Sequence, residues 1–189
     1  MVFSSIVFLF IYLPIVLTVY YIVPAKWRNI WLFIVNLVFY GWGEPVYILL
    51  MLFSIAVNYV NGLLVGKYRE SAVDKAKAVL IINVVINLAM LVFFKYYDLI
   101  ATTISQIPGV TVPTLGLTLP IGISFYTFQA MSYPIDVYRG NAEAQKNPIA
   151  FGTYISLFPQ LIAGPIVRYK DVADQLVQRE HSVDKFASG

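Results

Sequence analysis

The chain alternates long stretches that carry no charge with short polar ones, and that alternation predicts its elements. Val2 to Val23 is uncharged for 22 residues, enough at 1.5 Å per residue to cross about 30 Å of hydrocarbon. It has no basic segment before it and no small-residue cleavage site, so it reads as an uncleaved first helix. Pro14 is expected to kink it, and Tyr20, Tyr21 and Trp27 belong at headgroup level. Asn29 to Gly43 is a shorter uncharged run, covering roughly 22 Å as a helix. GWGEP at 41–45 marks a turn, and a helix is predicted from about 46 to 66. A polar loop, KYRESAVDKAK, separates it from Ala78–Phe94, a minimal span that ends on Lys95, Tyr96 and Tyr97. Residues 1–98 therefore predict four crossings.

The second half keeps the low charge but changes texture. Residues 98–118 contain prolines and glycines and predict an exposed or interfacial loop with at most one short helix. A further crossing is placed within 119–138. From Leu99 to Ile135 no residue is charged, yet Pro, Gly, Ser, Thr, Tyr and Gln crowd the run. Asn147 to Val167 is again uncharged but holds Pro148, Pro159 and Pro165. Irregular backbone at membrane depth is tolerated only where protein buries it or where it lines a cavity. The 119–168 region thus reads either as the wall of an internal passage or as kinked packing helices. From Tyr169 to Arg179 the apolar residues Val172, Leu176 and Val177 share one face, predicting a helix that lies in the interface. Ser182 with Asp184 announces one more helix start.

Basic residues orient the array. With the N-terminus outside, Lys26, Arg28, Lys67, Arg69, Lys75 and Lys77 fall on the cytoplasmic side and Lys95 outside. Arg168, Lys170, Arg179 and Lys185 would break this pattern if 147–167 crossed fully, so a re-entrant segment is expected there. Composition agrees with a membrane class: 59% hydrophobic and 12% charged, against about 25% charged in soluble proteins. No period-2 pattern long enough for a barrel occurs. The expectation is an all-α, polytopic helical bundle with proline-broken or re-entrant segments, forming a single membrane domain over 1–189. The net charge of +3 sits in loops and is no nucleic-acid footprint. The absence of cysteine excludes disulfides, thiolate metal sites and cysteine nucleophiles.

Candidate chemistry is sparse. His181, the single histidine, lies in the polar stretch QREHSVDK and is not favoured as a base. No spacing of ligands supports a metal site. Asn58 with Asn61, and Asn83 with Asn87, should each share a helix face turned into the bundle, with Asn36 as a third site. They read as interhelical bonds or as the lining of a substrate path. Asp136 and Arg139 read as an interfacial ion pair. Gln129, with Ser124, Tyr126 and Thr127 near it, and Gln160 sit inside apolar runs. Each could line a passage or satisfy backbone freed by a neighbouring proline.

Three ordered motifs, LPIGISFYTFQ at 119–129, IDVYRG at 135–140 and FPQLIAGPIVR at 158–168, resemble the membrane-bound O-acyltransferase family. The branch they resemble is the membrane subunit of bacterial alginate O-acetyltransferase. The opening segment, KYYDL at 95–99 and the closing VRYKDVADQL are similar to it as well. The resemblance implies that the chain is the N-terminal part of such an enzyme, with the catalytic histidine beyond residue 189 and no activity alone. It implies transfer of an acetyl group from a cytoplasmic thioester such as acetyl-CoA toward a hydroxyl of an extracytoplasmic polysaccharide. Partner proteins outside the bacterial inner membrane are implied too, with no bound cofactor and no nucleic acid. It further implies that Pro120, Gly122, Ser124, Tyr126, Gln129, Pro159, Gln160, Gly164 and Pro165 wall the substrate path. A scaffold or transporter-like protein is the competing class, since broken helices at midplane also mark transporters.

Overall fold

The computed structural model describes residues 5–163, 167–177 and 179. Among them all regular structure is helical, without strands. The first run is not a single kinked α-helix. A π-helical turn at Phe8–Tyr12 passes into α1, Leu13–Ile22, with Pro14 in the first turn of α1. The Leu13 N–H reaches back five residues to the Phe8 carbonyl. This wider turn falls just where Pro14 can offer no N–H of its own.

After a 3-10 turn at Ala25–Trp27 come α2, Arg28–Gly43, and α3, Ile48–Tyr68, joined through the predicted GWGEP turn. The polar loop after α3 is shorter than its charges suggest, since α4 begins at Val73 and runs to Ile104. The expected end at Phe94 is therefore corrected. Lys95 and Asp98 sit on the helix, and the Asp98 carboxylate accepts the N–H of Leu115 at 2.8 Å and of Leu117 at 3.2 Å. The acid thus folds the 105–118 loop back over the helix end. α3 and α4 are long and apolar enough to cross a bilayer.

α5, Ile123–Arg139, starts after Gly122 and ends at Gly140, both at positive φ (74° and 78°). At its end Asn141 N–H bonds the Asp136 carbonyl and Gly140 N–H the Val137 carbonyl, a Schellman closure. The 147–167 run is broken as its prolines predict. α6, Pro148–Ser156, is capped by the Asn147 side chain, which accepts from Ile149 and Ala150 with Pro148 in the first turn. The chain turns at Leu157 and α7 follows, Phe158–Ala163. α8, Tyr169–Val177, buries Tyr169 and Leu176 and exposes Lys170, Asp171 and Asp174, as its amphipathic pattern predicts.

Cross-links sort the helix ends into two groups. At one end Arg69 donates to the Val137 carbonyl, Asn29 to the Leu176 carbonyl and Gln145 to the Tyr169 hydroxyl. At the other, the Tyr47 hydroxyl meets Thr118. By their places on these elements, every described lysine and arginine except Lys95 lies at or beside the first end.

Candidate functional site

The three motifs come together where α5 meets the broken α6–α7 segment. Gln129, Ser132 and Asp136 follow one another at helical spacing along one edge of α5. The Gln129 amide donates to the Tyr154 carbonyl at 2.8 Å and to Gln160 Oε1 at 3.0 Å. Two glutamines read from separate motifs therefore bond each other across the junction. Ser132 donates to the Gln129 carbonyl at 2.8 Å, and the Tyr154 hydroxyl donates to the Val167 carbonyl at 2.7 Å. The Tyr154 carbonyl lies within the last turn of α6, where a helix leaves its acceptors free. Gln129 fills one of them from a neighbouring helix.

The opposite side of the break is held by Asn36. Its Oδ1 accepts the Phe158 N–H at 3.1 Å, the donor that opens α7. Pro159, next in line, has no N–H to satisfy. Asn36 Nδ2 is buried with no hydrogen-bond partner among the described residues. Leu157, Gln160, Tyr154 and Thr153 then form one wall of a cavity of about 220 Å³, closed by Leu32, Tyr20 and α8.

Gly122 is a tight point of the junction, where backbone meets backbone. A Cβ there would lie 2.8 Å from the Leu161 carbonyl oxygen, and its φ of +74° disfavours any side chain. Pro120, buried, accepts the Ile123 N–H and completes the turn into α5. Tyr126 is fully buried and meets the Tyr40 ring edge-on at 6.4 Å. Ser124 is half-buried on a different face from Gln129, so it does not join the Gln129–Gln160 pair. Pro159 is exposed. Gly164, Pro165 and His181 lie outside the described residues, as does the helix start at Ser182.

Two expectations change. Asp136 and Arg139 form no ion pair: Asp136 is 3% exposed with Oδ2 unpartnered, while Arg139 points outward at the helix end. Closing α5 at Gly140 leaves Arg139 on the outer surface and turns Asp136 toward α6. Of the asparagines, Asn58, Asn83 and Asn87 form one buried cluster, in which Asn58 Oδ1 accepts from Asn83 at 3.0 Å and Asn87 at 3.1 Å. Asn61 stays apart, bonding the Val57 carbonyl of its own helix.

The sequence reading missed an aromatic column behind the junction. Tyr133, Phe151, Tyr154 and Tyr169 meet one another tilted or edge-on, with Tyr133 centred 4.6 Å from Phe151 and 4.7 Å from Tyr169. Gln145 ties the column together, giving its backbone N–H to the Tyr133 hydroxyl and its side chain to Tyr169. Burial raises the Tyr169 hydroxyl above the usual phenol range, with the Gln145 bond acting the other way. Gly62 makes room on α3, since a Cβ there would overlap the Tyr133 ring.

Comparison with known proteins supplies relatives. No protein-family profile and no solved structure matches the chain. The whole chain aligns with the probable alginate O-acetylases of Pseudomonas aeruginosa, at 44% identity, and Azotobacter vinelandii, at 41%. A peptidoglycan O-acetyltransferase of Helicobacter pylori is 30% identical over 95% of the chain. The chain spans 37%, 38% and 39% of these three proteins.

Proposed function

We propose that this chain, which belongs to the membrane-bound O-acyltransferase family together with the alginate O-acetylases, forms part of an enzyme that acetylates a polysaccharide hydroxyl. The observation that carries the reading is the Gln129–Gln160 bond. It fixes a proline-broken segment against α5 beside a cavity, in a chain whose relatives are acetylases. The donor is an acyl thioester such as acetyl-CoA, reached from the cytoplasm. The acceptor is an extracytoplasmic polysaccharide such as alginate, delivered with partner proteins.

In this reading α1 to α5 each cross the bacterial inner membrane, with the N-terminus outside, and the α6–α7 segment re-enters. The clustering of basic residues at one end favours that end as cytoplasmic. The residues at hand bind and exclude water rather than move protons. Thioester transfer to a hydroxyl competes with hydrolysis, and a dry passage suppresses the competitor. Gln129 keeps the Tyr154 carbonyl satisfied and Gln160 holds Gln129 in place beside the cavity.

Acetyl content of the extracytoplasmic polysaccharide in cells carrying Gln129→Leu or Gln160→Leu in the native gene tests this. A fall of about tenfold or more, at normal membrane abundance, is expected. Unchanged acetylation in both variants would remove the junction from the mechanism.

A further inference from the structure

The structure assigns a phosphate-binding site to Arg28 and Arg179, which share the ring of Tyr20, where Tyr20 and Arg179 line the 220 Å³ cavity. The guanidinium carbons lie 5.2 Å and 5.8 Å from the ring centroid. Among the described residues neither arginine pairs with a carboxylate. Among the described residues Arg179 bonds neutral acceptors: Asn29 Oδ1 at 2.6 Å, the Tyr20 hydroxyl at 3.4 Å and the Gln175 carbonyl at 3.0 Å. Arg28 spends its Nε on the Val23 carbonyl at 3.3 Å. Its two terminal nitrogens have no described partner, so a fork suited to a phosphate is left over.

Position adds a second constraint. Asn29, which holds Arg179, also donates to the Leu176 carbonyl and accepts from Thr153 through its backbone oxygen, so α2, α6 and α8 are locked around the pair. The site is built in place and not assembled from loose side chains. The cavity wall is mostly apolar, with Leu32, Leu157, Val172 and Leu176 beside the polar Thr153, Gln160 and Gln175. The ligand chemistry that fits both parts is a phosphate ester carrying a slender or apolar arm, with the phosphate on the arginines and the arm in the cavity. An anionic phospholipid and a soluble phosphate-bearing thioester donor both have this form. The assignment does not depend on acyl transfer, because its readout is binding.

The native gene product in phosphatidylcholine nanodiscs is titrated with phosphatidylglycerol in one arm and with coenzyme A in the other. Binding is followed by native mass spectrometry and by thermal unfolding. Arg28→Gln, whose side chain makes a single described bond, should weaken the retained ligand about tenfold. Arg28→Lys should weaken it less, because charge stays and the fork is lost. Lys146→Gln, outside the site, should bind as the parent does. Saturable retention of the lipid identifies a membrane source, and that of coenzyme A a soluble one. Binding of neither ligand, or equal binding by Arg28→Gln and the parent, overturns the assignment.

Discussion

The side chain of Gln145 donates to the hydroxyl of Tyr169 at 3.1 Å, so the chain that leaves at Asn147 returns to within one hydrogen bond of its departure. Between the two residues lie α6, the break at Leu157 and α7. A straight spanning helix would separate its ends by the thickness of the hydrocarbon, about 30 Å. The chain has no cysteine, which makes single introduced cysteines clean reporters. Cysteines at Asn147 and Lys170 should react with an impermeant reagent from the same face of the membrane, and Ser71→Cys from that face too. Labelling of 147 and 170 from opposite faces would replace the hairpin with a kinked crossing.

Gly122 should not accept a side chain. Alanine there must hold φ near +74°, at about 1–2 kcal/mol, and also displace the Leu161 carbonyl. Thermal unfolding in detergent should fall clearly for Gly122→Ala. Gly109, also at positive φ but with nothing within 4 Å of an added Cβ, should lose only the backbone part. Equal losses at the two sites would show that the approach of Leu161 is unimportant.

Gly62 and Tyr133 should behave as a coupled pair. Gly62→Ala forces the buried ring aside, which costs about 1–3 kcal/mol. In a Tyr133→Leu background the same alanine meets a different, shorter side chain. The double variant should therefore lose less stability than the two single losses added. Strict additivity in a denaturant series would argue against contact.

Asn58 should matter more than Asn61. Leucine at 58 strands the buried Asn83 donor and the buried Asn87 Oδ1 acceptor, each costing about 1–3 kcal/mol if unsatisfied, while Asn87 Nδ2 keeps the Asn83 carbonyl. Leucine at 61 removes one bond within its own helix. The melting temperature should drop several degrees further for Asn58→Leu than for Asn61→Leu. The reverse order would mean that the cluster is not the main tie between α3 and α4.

What the sequence revealed depended on whether the signal was local. The uncharged runs located α1 to α3 and α5, and the prolines marked 147–167 as a broken run without placing the turn at Leu157, because both effects act within a few residues. The asparagine faces were readable for the same reason. The end of α4 was not: Lys95 and Asp98 look like a loop boundary, yet Asp98 stays helical because the 115–117 backbone supplies its partners. Asp136 and Arg139 were misread because spacing alone does not say which way a terminal residue turns. Gln129 and Gln160 could be nominated singly, but their meeting depends on how α5 and α7 approach. The aromatic column and Gly62 were invisible because their logic is a fit between helices distant in sequence.

The bond from Phe158 N–H to Asn36 joins residues 122 positions apart, and this bears on how the protein is made. At typical elongation rates of about 5–20 residues per second, roughly 6–24 s separate synthesis of the two partners. Through that interval the Oδ1 of Asn36 on α2 lacks the donor that it meets in the finished structure. Water, lipid headgroups or an insertion factor must hold it until α7 arrives. The final seating of α6 and α7 is then a late event in biogenesis. Replacing Asn36 should therefore show first as nascent chains retained at the insertion machinery, before any defect in the finished protein.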